Sequence, residues 1–434
     1  MDKRILIVGT SPYDVNTPAR AFDSYFHFCK RECLAQVFSS PITPMKGHCG
    51  TLFQMTDKDV LYRWMGKEKK TGRIFTYAEL SETKYNKTSS KELISNPVIN
   101  RLYRVGHNKS SMVYLLRGIL WRKKYWCTKQ FNDWLDDFNP ECIFLSFSDD
   151  YFIPQIALYV AEKFNIPIVS SIGDDYYFNY KFSLSPLYNL YKLTYRKLIR
   201  RVFRNPGSVI YIGNKIKDKY NSEFVLNGET VYLTSSIQRR DFRIIDTKAP
   251  KISYFGNIRL GRNESLSDIG EVLREINPSY FLDVYSNEIE KTIIETLINN
   301  SNIRLHEAIP YDEVVRITLE SDIIVVVEGF KRKDIDISRY SLSTKVADSL
   351  ASGVNVLAYG STECGAIEYA LETESIAVCT DKSDLKETIQ RLIFDASYQK
   401  ENYEKAKKIC ETNHTLKNSC SIFEGVIEKV TGEE

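Results

Sequence analysis

At 434 residues the chain is too long for one compact core, so two domains are the expectation. Hydrophobic content of 43% with 26% charged residues excludes a disordered or fibrous chain, and a formal net charge of +3 means that any strongly charged partner surface must be local. No uncharged apolar run approaches the roughly 18 residues of a membrane span. The 28 Tyr suit a protein that handles sugars or a membrane interface. The nine Cys form no pair of CxxC elements and have no metal-ligand spacing, so no metal is expected. Their odd number, with a first strand that starts directly after Met-Asp-Lys-Arg, leads to the expectation of a cytoplasmic protein.

In chain order, Ile5–Gly9 reads as an apolar strand followed by a loop and a helix from about Thr17, as at the start of an open α/β domain. No GxGxxG is present, so a dinucleotide fingerprint is not supported. Residues 35–40 read as a second strand. Residues 56–110, with the charge run Gly66–Arg73, read as an inserted stretch of loops and short helices. Helical pattern returns over 111–137. A strand (142–147), a helix (154–163) and a second strand (166–172) then make one βαβ unit.

The two strand ends of that unit carry Ser148-Asp149-Asp150 and Gly173-Asp174-Asp175, the edge at which ligands bind in parallel sheets. Capping is the reading for Asp149 and Asp150. Asp174 and Asp175 are read equally as caps or as groups contacting an acceptor hydroxyl.

Ser185-Pro186 opens and Asn205-Pro206-Gly207 closes a helix over 186–204 that has no acidic residue. Leu187, Tyr191, Tyr195, Leu198 and Val202 recur on one stripe, and Lys192, Arg196, Lys197, Arg200, Arg201 and Arg204 occupy the opposite arc, with Leu193 and Phe203 intruding on it. So one-sided a helix fits an anionic membrane surface, with Lys192, Arg196, Arg200 and Arg201 facing it. A helix packed on its own domain with its cations in water is the plainer alternative. Nucleic acid ranks third, because no nucleic-acid module accompanies the patch, and none is expected as partner.

Residues 236–250 read as a linker, after which strand–helix alternation starts again at Ile252. The fold class is therefore α/β with two Rossmann-like domains facing across a cleft: 1–235, then 251–412, with a C-terminal helix over 413–434. Gly256, Arg259, Gly261 and Arg262 form a flexible basic loop between a strand and a helix, suited to a diphosphate. A second helix starts at Ser343 or Thr344 and stops at Gly353, with Lys345 and Asp348 on one face. Strand 354–358 then runs into the loop that holds Ser361, Thr362 and Gly365.

The stretches Tyr254-Phe-Gly-Asn-Ile-Arg-Leu-Gly-Arg262, Leu282-Asp-Val-Tyr285, Ile309-Pro-Tyr-Asp-Glu-Val314, Ser321-Asp-Ile-Ile-Val-Val-Val-Glu328 and Ser343-Thr-Lys-Val-Ala-Asp-Ser-Leu-Ala-Ser-Gly353 resemble the nucleotide-sugar domain of GT-B glycosyltransferases, of the family-4-like group (glycosyl transferases group 1) that builds bacterial surface polysaccharides. The resemblance covers roughly residues 250–395, and the first half only in architecture. It implies a transferase that uses a nucleotide-diphosphate sugar without a cofactor, with retention at the anomeric carbon and no metal. It implies diphosphate contacts from Gly256 and Arg262, a helix cation at Lys345, ribose binding by Asp348, and donor contacts from Ser361, Thr362 and Gly365.

Two departures stand out. Tyr340 occupies the position where the family often has a catalytic-site Glu, and Asp348 stands where it commonly has Glu. Glu328 is the upstream acid that takes over a sugar-facing role in this reading, beside Asp174 and Asp175 as catalytic candidates. The acceptor is expected to be a saccharide on a lipid carrier, at the inner face of the plasma membrane. A UDP-sugar epimerase of the same fold and a non-catalytic nucleotide-sugar-binding partner protein stay open as alternatives. For the epimerase, only His306 lies at a strand end.

Overall fold

A computed structural model describes residues 2–13, 20–66, 72–80, 111–179 and 183–432. The chain divides into two compact units. The first comprises residues 1–211, 217–231 and 420–434, and the second residues 212–216 and 232–419.

The first unit is built on an eight-stranded sheet: β1 (Ile5–Val8), β2 (Leu34–Phe38), β3 (Thr51–Gln54), β4 (Arg73–Thr76), β5 (Cys142–Ser146), β6 (Ile168–Ile172), β7 (Gly207–Tyr211) and β8 (Glu229–Thr230), in the order β4-β3-β2-β1-β5-β6-β7-β8. All neighbours run parallel except the β3–β4 pair. The central strands β1, β5 and β6 are buried along almost their whole length, β1 and most of β5 as apolar runs and β6 with Ser170 and Ser171 buried, as a sheet covered on both faces demands.

Two expectations change here. The sheet takes β4 from the stretch 56–110 read as loops and short helices and β3 from just before it, and Thr56 with Asp59 forms a capping box that opens the helix Asp57–Trp64. The helical stretch at 111–137 is three pieces, Ser111–Leu120, Lys123–Trp126 and Lys129–Phe138, because Arg122 and Thr128 are extended and cap the next piece. The segment from Thr17 to Ala19, most of the charge run after Gly66 and residues 81–110 lie outside the described residues.

The second unit holds a six-stranded, all-parallel sheet: β9 (Ile252–Phe255), β10 (Leu282–Ser286), β11 (Ile303–Glu307), β12 (Ile323–Val327), β13 (Asn355–Tyr359) and β14 (Ala377–Cys379), in the order β11-β10-β9-β12-β13-β14. The chain steps outward from β9 through β10 to β11, then returns to start again at β12. The strand order thus reverses between β9 and β12, and their C-terminal ends open the crevice in which such sheets bind ligands.

The expected linker 236–250 is part of this unit. Ile245 is buried in its core, Arg240 donates to the Leu319 carbonyl at 2.7 Å, and Arg243 pairs with Asp322 at 2.9 Å. At the other end of the chain, the helix Leu416–Thr431 leaves the second unit after Ser419, and Phe423 packs in the first among Tyr25, Phe26 and Phe144.

Candidate functional site

The crevice between β9 and β12 is lined by side chains that the local sequence forces into place. β9 ends at Phe255, and Gly256 follows with φ +117°, a conformation L side chains rarely adopt. A β-carbon there would come within 2.9 Å of Cε and 3.2 Å of Nζ of Lys345, so glycine is what lets the lysine reach the backbone. Lys345 sits on the first turn of the helix Thr344–Ser352, whose N-cap Ser343 accepts from the Lys345 amide at 3.3 Å.

Its ammonium donates to Tyr254 Oη at 2.7 Å and lies 4.3 Å from the centroid of that ring. Tyr254 in turn donates to the Asn257 carbonyl, which ties the loop after β9 to the lysine. Burial, and next the Arg262 charge, pull the Lys345 ammonium down to about 7, against the opposing Glu328 carboxylate.

Arg262 opens the helix Arg262–Ile276 and is held from the other strand of the crevice. Glu328, one residue past β12, takes its Nε at 3.1 Å and its Nη2 at 2.8 and 3.0 Å, with side chains 14% and 4% exposed. Nη1 has no hydrogen-bond partner among the described residues. Gly360, just past β13, packs against the same glutamate: a β-carbon at 360 would stand 2.9 Å from Glu328 Cβ. The helix Gly365–Thr373 follows, and its N-cap Cys364 makes no side-chain cap, so its first N–H groups point at the end of the loop that carries Ser361 and Thr362. Ser361 holds that loop by accepting from the Glu363 amide at 3.3 Å.

The structure therefore brings Gly256, Arg262, Glu328 and Lys345 into one cluster. It places Asp348 one turn beyond Lys345, where Oδ1 accepts from Ser235 at 2.7 Å and from Tyr311 at 3.3 Å. Arg259, of the same loop, is engaged by Glu288 through two bonds of 2.6 and 2.7 Å. Tyr254, Ser235 and Tyr311 are missed by sequence reasoning. Of these, Tyr254 alone carried a signal, as the strand residue two places before Gly256.

The remaining candidates lie in the first unit. Asp174 is exposed after β6. Asp175 caps a turn: its Oδ1 accepts from the amides of Tyr177 at 3.0 Å and Phe178 at 2.8 Å and from Tyr220 Oη at 2.8 Å, while burial raises its carboxyl above the usual range. Asp150 pairs with Arg117, which also reaches Asp57 at 3.2 Å. His306, on β11, binds Asp283 at 2.7 Å and stacks on Tyr285. On the helix Pro186–Phe203, Arg196 donates to the Tyr177 carbonyl at 2.8 Å and lies over that ring, and Lys192 is half-buried. Arg200 and Arg201 are exposed.

No family model matches the chain, and no curated protein does. Solved structures match along its whole length. Sucrose-phosphate synthase from Thermosynechococcus elongatus superposes with a TM-score of 0.61 at 9% identity, covering 100% of both chains. HepE of Anabaena, in complex with UDP and glucose, gives 0.57 at 10% identity over 98% of this chain and 99% of that one. An E. coli trehalose-6-phosphate structure bound with UDP-2-fluoro glucose gives 0.57 at 10% identity over 99% of each chain. The fold is GT-B, the fold of glycosyltransferases with two parallel-sheet domains.

Proposed function

We propose that the protein is a glycosyltransferase that moves a sugar from a nucleoside-diphosphate donor to a saccharide acceptor. The observation that carries this reading is the pairing of Lys345 with Gly256 and of Arg262 with Glu328 at the point where the second sheet reverses its strand order. A diphosphate laid over Gly256 meets the Lys345 ammonium, the free Nη1 edge of Arg262 and the amides at the start of the helix Gly365–Thr373. Those groups are fixed before the substrate arrives, so they stabilise the charge that grows on the diphosphate as the anomeric bond breaks, without reorganising. Proteins of this fold that hold UDP with glucose, or UDP-2-fluoro glucose, support the donor class.

In this reading Glu328 orients Arg262, Asp348 with Ser235 and Tyr311 receives the ribose hydroxyls, and Ser361 and Thr362 line the diphosphate loop. Asp174 is the acceptor-side candidate, since the Asp175 carboxylate is committed to its turn. Retention at the anomeric carbon, an acceptor on a lipid carrier and docking on an anionic membrane through the helix Pro186–Phe203 complete the proposal. No helix among the described residues is long and apolar enough to cross a membrane.

A panel of nucleotide sugars tests it. Slow release of nucleoside diphosphate, faster with acceptor and lost in Lys345→Met, is expected. Interconversion of the donor sugar instead makes the protein an epimerase, binding without turnover makes it a partner protein, and no response to any nucleotide sugar sinks the reading.

A further inference from the structure

The helix Pro186–Phe203 does not present a uniformly basic outer face. Its inner side is buried through Tyr191, Tyr195, Leu198, Ile199 and Val202. Outward, its chemistry changes along its length. Leu187, Leu190 and Leu193 recur every third residue and are 46%, 51% and 54% exposed, and Leu184 just before them is 87% exposed. Lys197, Arg200, Arg201 and Arg204 continue the same face over the following turns, all exposed. The helix Ser111–Leu120 packs against it and adds exposed Leu116 and Ile119. Five apolar side chains on two packed helices, with a sixth on the approach, form a patch of the kind that marks an interaction surface.

At the end of that patch lies a cavity of about 300 Å³ between the segment following Leu120, the helix Phe152–Phe164 and the basic end of Pro186–Phe203. Arg122, Lys123 and Arg201 line it, against one carboxylate, Glu162, which is itself exposed. Among the described residues neither Arg122 nor Arg201 has an acidic partner. Trp126 and Tyr159 also line it, meeting edge to face at 5.5 Å, and the Trp126 N–H is already spent on the Trp121 carbonyl at 3.1 Å. The Lys123 ammonium stands 4.2 Å above the Tyr159 ring. The cavity thus offers three cations to an anion, with Gln155 and Glu162 as further polar side chains beside them.

We infer that this cavity takes the phosphate headgroup of a membrane lipid while the neighbouring leucines enter the acyl layer. The shared chemistry is a phosphate ester, and the exposed leucines decide for the lipid source, because a soluble phosphate gives them nothing to cover. Stable anchoring takes two weak signals together, and here an apolar one and a cationic one adjoin on the same pair of helices. The inference deepens the membrane part of the proposed function and rests on it, but assigns the contact to a built cavity and not to diffuse charge.

Flotation with phosphatidylcholine vesicles, with and without phosphatidylglycerol, tests it on three variants checked for native melting. The first is Arg122→Gln/Lys123→Gln/Arg201→Gln. The second, Lys197→Gln/Arg200→Gln/Arg204→Gln, removes equal charge outside the cavity. The third is Leu190→Ser/Leu193→Ser. Diffuse attraction predicts the same loss, about fivefold per cation, for both charge variants. The cavity predicts that the first loses at least tenfold more than the second, and that the leucine variant loses the binding which persists in high salt. Equal losses overturn the cavity and leave membrane docking standing. Unimpaired binding by the leucine variant, or displacement from vesicles by glycerol phosphate at low concentration, overturns the lipid as source. Failure of the unsubstituted protein to float with either vesicle overturns both readings.

Discussion

The two units use positive charge in opposite ways. In the second, Arg262 and Lys345 sit in the first turns of two helices, half-buried and set against one buried glutamate. In the first, Lys197, Arg200, Arg201 and Arg204 stand in solvent along one helix face. A charge in low dielectric interacts strongly with each neighbour, so every member of the buried cluster matters singly and salt does little to it. Exposed charges act as a sum and are screened beyond a Debye length of about 8 Å at physiological ionic strength. Under the proposed function, the buried cluster of the second unit recognises a particular small anion and the exposed row of the first recognises a surface.

The comparison breaks most visibly at Glu328. Glu328→Gln leaves the Arg262 guanidinium in place without its counter-charge, at a cost of about 3–5 kcal/mol in the second unit, read by urea denaturation. A loss below 1 kcal/mol means that Arg262 has another partner.

Lys345→Met is expected to behave differently. It removes a charge that burial disfavours while keeping the stem, so melting holds or rises, yet nucleoside diphosphate release falls by about a hundredfold or more. An active Met variant ends the role given to this lysine.

The pH dependence follows from the same side chain. With its ammonium held at about 7 in the free protein, the charged form that a diphosphate selects is present below pH 7 and lost above it. Donor affinity, followed by calorimetry, therefore falls by about tenfold per pH unit above 7, with proton uptake on binding, and this dependence vanishes in Lys345→Met. A flat profile to pH 9 contradicts the lowered ammonium.

The smallest effect separates two arginines on one helix. Arg196→Ala removes the bond to the Tyr177 carbonyl and the stacking on its ring, and should cost the first unit about 1–2 kcal/mol without altering vesicle binding. Arg200 also lies over that ring, at 5.5 Å, but has no side-chain hydrogen bond among the described residues, so Arg200→Ala should cost less stability and instead bring a few-fold loss of vesicle binding that salt abolishes. If the two variants are indistinguishable, the helix face is not divided as described.

Much of the second unit was legible in the sequence. β9, β12 and β13 are apolar runs that end in Gly256, Gly329 and Gly360, with a helix start soon after, so strand, loop and helix each carry a local signal. What joined them was not legible. Arg262 and Glu328 are 66 residues apart, and Lys345 and Tyr254 are 91 apart, so no periodicity couples them. The first unit was harder. β4 is four residues long with one buried side chain, Phe75, and β8 has only two residues, too little for a pattern to show. The basic helix was visible throughout, but its division into leucines and cations on one face depends on which side its neighbours cover.

The helix Leu416–Thr431 bears on how the chain is made. Phe423 completes an aromatic cluster whose other members, Tyr25, Phe26 and Phe144, leave the ribosome 279 to 398 residues earlier. Domains usually fold in the order of their synthesis. Here the first unit keeps those rings uncovered until Phe423 has been made. A chain stopped after Ser419 should therefore show its weakness far from the cut in sequence, as protease cleavage near Tyr25 and Phe144 in the first unit and not in the second.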